Sequence, residues 1–292
     1  MKTIGFVDFY ISEWHANKYP VWIQEASKKL GEEFVVKYAW AEQDVSPVDG
    51  KTTDEWCAEF GVQKCETLQE LCEKADYIIV LVPSNPEKHL EYAKEVLKYK
   101  KNTYIDKTFA PDYATAKEIF SIAEQYGTKF FSTSALRFAE EIAGVENLRA
   151  LIVSGGGSNL EEYIIHQIEM TVKTMGVGAE LVKVEKQGKQ CVCRIAYGDM
   201  RYATLNYSPT SPFTVAMEKQ DGACIYTPVT SAFFPNLIEA ILQFFKDGKA
   251  PFSKEETLEV MKIRESLIKS KSYDDGEWIF LVDTSSNSRF CC

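Results

Sequence analysis

Lys107 and His166 each join a chemically useful side chain to a place in this 292-residue sequence where ligands are met. Lys107 follows the strand-like run Thr103 to Asp106, and a lysine just past the carboxyl end of a parallel strand points to the crevice where α/β sheets bind ligands. A partly desolvated ammonium there hydrogen-bonds a substrate hydroxyl and stabilises negative charge developing on its oxygen. His166, one of three histidines, is the residue type that takes an alcohol proton near neutral pH, and the pattern alone fits a satisfied core histidine equally well. Glu162, one helical turn earlier on the same face, can orient or charge-stabilise it. Glu42 follows the run Phe34 to Trp40, where a carboxylate hydrogen-bonds an adenosine ribose and disfavours a 2'-phosphate. Asn85 and His89 stand at a helix start after the run Tyr77 to Val82, where Asn85 is placed to cap the helix or to meet a ligand.

The elements that must position these residues are legible as alternating patterns. Ile4 to Val7, Phe34 to Trp40, Tyr77 to Val82, Thr103 to Asp106 and Lys129 to Ser132 read as strands, with helical spacing between several of them, as a parallel sheet with crossover helices requires. The apolar run from Tyr77 is that of a strand covered on both faces. Asp112 is placed to cap a helix that Gly127 stops. After about Ile142 the pattern becomes an antiparallel meander: Leu148 to Val153, Leu181 to Glu185, Cys191 to Tyr197, Tyr202 to Tyr207, Phe213 to Glu218 and Ala223 to Tyr226. A helical stretch around Glu161 to Met175 interrupts it, and two helices close the chain. Gly155-Gly156-Gly157, taken alone, means a loop.

Composition narrows the partners. Lys plus Arg total 33 against 43 Asp plus Glu, and a net charge of -10 disfavours nucleic acid and anionic membranes. No apolar run reaches the roughly 20 residues of a membrane span, and the start has no secretory pattern, so a cytoplasmic protein is expected. The eight cysteines lack zinc-site spacing; they read as buried thiols of a reducing compartment, with Cys291-Cys292 as a frayed tail, and no metal is expected.

Four segments, in order along the chain, resemble motifs of the glucose-fructose oxidoreductase, inositol dehydrogenase and MocA family. Asp106-Lys107-Thr108-Phe109-Ala110 looks like its E-K-P-x-A segment, and Val82-Pro83-Ser84-Asn85 with His89 looks like its T-P-N-x-x-H turn. Ser134-Ala135-Leu136-Arg137-Phe138 resembles H-N-R-R-F, and Glu162, His166 and Glu169 resemble D-x-x-x-H-x-x-D. The resemblance implies an N-terminal Rossmann domain, residues 1–138, with a doubly wound parallel sheet. An α+β domain, 139–292, would follow with an open, mainly antiparallel sheet for substrate binding and homo-oligomer formation. It implies Lys107, His166 and Glu162 as catalytic residues, and cofactor contacts from Asp8, Phe9, Tyr10, Ile11, Glu42, Pro83, Asn85, His89, Asp106 and Arg137. His15 matches a family histidine read as packing. The departure lies where the family's glycine-rich turn meets the pyrophosphate: Asp8-Phe9-Tyr10-Ile11-Ser12-Glu13 holds no glycine and is about one residue shorter.

The expected activity is NAD-dependent oxidation or reduction of a secondary alcohol or ketone on a sugar, cyclitol or related polyol, with NAD favoured over NADP by Glu42. The alternatives are an NAD-dependent glycosidase of the same fold and a non-catalytic binding or regulatory protein that has lost the dinucleotide.

Overall fold

The computed structural model describes residues 1–83, 85–145, 148–271 and 276–281. Ser84, Cys291 and Cys292 lie outside the described residues. The chain divides into unit one, residues 1–111, 115–135 and 232–254, and unit two, 112–114, 136–231 and the chain from 255 onward.

In unit one, β1 (Lys2–Asp8), β2 (Phe34–Ala41), β3 (Gln63–Lys64), β4 (Tyr77–Val80), β5 (Thr103–Asp106) and β6 (Phe130–Thr133) form a parallel sheet in the order β3-β2-β1-β4-β5-β6. The order reverses beside β1, so the carboxyl ends of β1 and β4 border the crevice that this topology uses for ligands. Ile78, Ile79 and Val80 are fully buried, as a strand with helices on both faces requires. β4 ends two residues before its apolar run does, because Val82 turns into the left-handed region at φ 48°, a conformation β-branched residues seldom adopt. The connecting helices are α1 (Trp14–Leu30), α2 (Thr53–Phe60), α3 (Leu68–Lys74), α4 (His89–Val96) and α5 (Tyr113–Tyr126). Thr52 and Glu55 close α2 with a capping box, and Thr67 caps α3. Cys57, Cys65 and Cys72 are free buried thiols in this unit, and burial pushes Cys57 up to about 12.

Unit two holds β7 (Leu148–Gly155), β8 (Ala179–Gln187), β9 (Gln190–Tyr197), β10 (Tyr202–Tyr207), β11 (Thr214–Lys219), β12 (Cys224–Pro228) and β13 (Ile279–Phe280), ordered β12-β11-β7-β10-β9-β8-β13. The sheet is mainly antiparallel but is no simple meander: β7 lies between β10 and β11 and pairs in parallel with β10. Helix α6 (Leu160–Met175) covers the face that carries Leu151, Val153 and Leu205, burying Ile164, Ile168 and Val172. On the opposite face Ile152, Tyr202 and Tyr226 stay exposed, with Ala216 paired between Ile152 and Tyr226.

Helix α7 (Phe233–Asp247) departs from the expected division at residue 138, since it packs in unit one. Its amphipathic face places Phe245 on Tyr77, rings stacked 4.7 Å apart, and Phe234 against Trp14 and Trp22. Helix α8 (Lys254–Lys271) follows.

The triple glycine is more than a loop. A Cβ at Gly156 would stand 1.9 Å from the Ser208 carbonyl oxygen, and one at Gly157 would stand 2.0 Å from the Tyr163 ring. The turn that feeds α6 therefore runs against the backbone following β10, which cannot move aside as a flexible side chain does. Gly156→Ala should cost about 1–3 kcal/mol, the usual range for overpacking, and lower the melting temperature by several degrees. Thermal unfolding checks this, and an unchanged melting temperature would contradict the close approach.

Candidate functional site

The turn from β1 to α1 is built around two buried acids. Asp8, only 2% exposed, ends β1 and accepts hydrogen bonds through Oδ1 from the Phe9 N–H at 2.7 Å and the Val82 N–H at 3.2 Å. It thereby ties the end of β1 to the left-handed residue beyond β4. Burial, reinforced by the charge of Glu13, raises the Asp8 carboxyl well above the ordinary carboxylate range, and the two backbone donors do not offset this. Glu13, 6% exposed, is the N-cap of α1: its Oε1 accepts from the Ala16 N–H at 2.5 Å and its Oε2 from the His15 N–H at 2.8 Å. The free N–H groups of a helix start attract an anion, and here the chain supplies it.

Hydrogen bonds to neighbouring segments hold the turn. The Gln43 N–H donates to the Phe9 carbonyl, the Ser12 hydroxyl to Asp49, and the Ser46 hydroxyl to the Ser12 carbonyl. Ile11 is buried in the core, and Phe9 lies beneath the Lys88 ammonium, 5.7 Å from its ring centre. Tyr10 is half-buried.

Asp106, at the end of β5, adds a third buried carboxyl. Its Oδ1 lies 2.8 Å from the Tyr104 hydroxyl, and His15 stands between Glu13 Oε2 at 3.1 Å and Asp106 Oδ2 at 3.6 Å. The Tyr19 ring stands edge-to-face with His15, and burial followed by the nearby charge of Asp106 raises its hydroxyl well above the ordinary tyrosine range. His15, expected as packing, therefore links two acids of the crevice. The unusual glutamate at a cap position, two residues before a histidine, was the available signal for this cluster. Among the described residues, no three His, Cys, Asp or Glu side chains gather closely enough to hold a metal ion. Half-buried Lys107 follows Asp106, and its Nζ donates to the Pro83 carbonyl at 3.3 Å. A lysine, a carbonyl and two acids thus meet at the carboxyl ends of β4, β5 and β1.

Several expected cofactor contacts are engaged elsewhere. His89 is fully buried, with Nδ1 3.0 Å from the Phe109 carbonyl and Nε2 3.1 Å from the Leu81 carbonyl. Burial lowers its pKa despite these two carbonyls, so the ring fastens α4 to the ends of β4 and β5 instead of facing a ligand. Glu42 receives the Tyr92 hydroxyl at 2.6 Å and the Lys88 ammonium at 2.9 and 3.0 Å; partial desolvation would raise its carboxyl, and these bonds outweigh that and hold it low. Asn85 makes no side-chain cap and donates to Glu87. In unit two, Arg137 is 3% exposed and paired with Glu169 at 3.1 Å and with Glu256, so its guanidinium joins α6 to α8 and is not a free cofactor contact. Glu162 accepts from the Asn159 side chain at 3.0 Å at the N-cap of α6, a capping arrangement, while half-buried His166 lies edge-on between Tyr163 and Phe213.

Residues 29–134 match the model of an oxidoreductase family with an NAD-binding Rossmann fold, the glucose-fructose oxidoreductase, inositol dehydrogenase and MocA family. The matched stretch lies almost wholly in unit one and runs from the end of α1 through β6. A curated relative, the uncharacterized oxidoreductase YhhX of Escherichia coli K12, is 38% identical over 60 residues, which is 20% of this chain and 17% of the relative. The fold likeness extends over both units. A probable dehydrogenase from Thermotoga maritima superimposes with a TM-score of 0.77 at 12% identity over 96% of this chain and 98% of its own. A putative myo-inositol dehydrogenase from Sinorhizobium meliloti 1021 does so with a TM-score of 0.75 at 10% identity, over 97% and 100%.

The family domain invites a dinucleotide whose pyrophosphate rests on the start of α1. The turn as folded here does not fit that group: Glu13 fills the helix start, and Asp8 and Tyr10 stand where glycines would let the cofactor approach.

Two outcomes follow from these contacts. Because the folded Asp8 carboxyl is raised above its unfolded value, its contribution to stability is present below the ordinary carboxylate pKa and is lost as pH rises through the folded value. Asp8→Asn, always neutral, should therefore raise the melting temperature at neutral pH, with the gain shrinking as pH falls towards about 4. A gain independent of pH would contradict the burial argument. His89→Ala should lower stability by about 1–3 kcal/mol, since it strands the buried carbonyl that the ring N–H serves and leaves a cavity; denaturant titration measures this, and an unaltered midpoint would return His89 to the ligand contacts.

Proposed function

We propose that the protein is an oxidoreductase acting at a secondary alcohol or ketone carbon of a sugar, cyclitol or related polyol. The observation that carries this is Lys107, whose residue follows the carboxyl end of β5 and whose ammonium lies 3.3 Å from the Pro83 carbonyl. There it can donate to a substrate oxygen and stabilise the charge that grows on it as the proton leaves. The reading gives that proton to His166 of unit two, whose imidazole suits transfer near neutral pH. Glu162, one helical turn before His166, is the residue this reading uses to orient it, and it also accepts from the Asn159 side chain at the α6 cap. NAD binding is named in the family's description, and a preference for NAD over NADP rests on the position of Glu42 just after β2, where a ribose would have to replace its present partners Lys88 and Tyr92. The exposed row Ile152, Tyr202 and Tyr226 supports pairing of two copies through the sheet of unit two.

A second reading, a polyol-binding protein without redox activity, is favoured by Glu13 at the start of α1. Incubating the chain with NAD⁺ or NADP⁺ and a panel of sugars and cyclitols, with product analysis, separates the two. Reduced dinucleotide should form with at least one polyol, faster with NAD⁺. Lys107→Ala and His166→Ala should each cut turnover about a hundredfold or more while leaving the melting temperature nearly unchanged. Polyol binding without any dinucleotide reduction would establish the second reading.

A further inference from the structure

The start of α1 is already occupied. A 17-residue helix offers its first N–H groups and positive dipole end to an anion, and Glu13 takes the Ala16 and His15 N–H groups with its two oxygens. The carboxylate is buried, and the His15 ring holds it from the side at 3.1 Å. Independent features set the same preference. The β1–α1 turn is pinned through Ser12, Asp49 and Ser46, and the Gln43 N–H fixes the Phe9 carbonyl, so the turn is anchored in the shape that presents Glu13. Asp106 Oδ2 adds a second buried carboxylate oxygen on the far side of His15, 3.6 Å from its Nε2. An incoming diphosphate would meet carboxylates on both sides of one imidazole.

We propose that Glu13 is a built-in competitor for the dinucleotide's pyrophosphate: the chain binds a dinucleotide only when this carboxylate leaves the start of α1. The proposal deepens the oxidoreductase reading and rests on it for the identity of the ligand. It makes Glu13 a residue that sets cofactor affinity. A carboxylate about 4 Å from a phosphate charge weakens binding by roughly several-fold in a watery setting and about a thousandfold at an effective dielectric near 20. Removing it should fall within that span.

The test compares the unmodified chain with Glu13→Ser, which keeps a neutral capping hydroxyl, and Glu13→Gln, which keeps length and loses charge. Calorimetry with NADH and ADP-ribose reads the effect, with adenosine as the phosphate-free control, and circular dichroism confirms that each variant folds. NADH and ADP-ribose should bind at least about tenfold more tightly to Glu13→Ser, less so to Glu13→Gln, with adenosine unaltered. Equal or weaker binding in both variants, an equal gain for adenosine, or no measurable binding to any of the three proteins would overturn the proposal. Its failure is distinguishable from that of the oxidoreductase reading. Polyol oxidation by the unmodified chain, with NADH affinity the same in the variants, sinks the competitor alone. Tighter NADH binding by Glu13→Ser, with no polyol oxidised by any protein, sinks the activity alone.

Discussion

The carboxylate at the start of α1 governs the crevice. Helix starts need partners for their first N–H groups, and Ser, Thr, Asp or Asn usually supplies one from a short side chain. Glu13 does so with a longer arm, which curls back over the Ala16 and His15 N–H groups and places His15 within reach of Asp106. The turn is drawn tight as a result. Asp8 is carried inward to the ends of β1 and β4, where its Oδ1 steadies Val82 in a backbone conformation that costs about 1–3 kcal/mol when unsupported. One capping contact thus decides how the first strand, the first helix and the fourth strand meet.

Charge is handled differently in the two units. In unit two the buried Arg137 guanidinium sits between Glu169 and Glu256, so opposite charges answer each other, and removing one partner of such a group typically costs about 3–5 kcal/mol. In the crevice of unit one three acids, Asp8, Glu13 and Asp106, are met by four backbone N–H groups and the Tyr104 hydroxyl, with His15 standing between two of them. A site balanced in this way resists additional negative charge. Burial, and after it the charge of Glu13, raises the Asp8 carboxyl above the ordinary carboxylate range.

The strand runs, the change of pattern near residue 142 and the position of Lys107 were legible because burial on both faces and alternating burial leave periodic marks in a sequence. The loss of the glycine turn was legible too, since glycines are read directly. What filled the turn was not. Nothing in the local pattern shows that Glu13 folds back on its own helix, or that His89 lies wholly between two carbonyls, because both depend on segments distant in sequence: Ser46 and Asp49 for the turn, Leu81 and Phe109 for the histidine. The parallel pairing of β7 with β10 escaped for a related reason, as register across a sheet is set by long-range packing. The glycine triplet marked a loop without revealing what crossed above it.

The return of α7 to unit one bears on how this protein is made. Residues 1–135 contain all six strands of the parallel sheet, yet Trp14, Trp22, Phe34 and Tyr77 find aromatic partners on a helix that begins at Phe233. A chain emerging from the ribosome at about 5–20 residues per second completes the sheet several seconds before that helix appears. During that interval the aromatic surface is bare, and most of unit two must be synthesised within it. The first unit, although begun first, is thus finished only once residues 233–254 have been made.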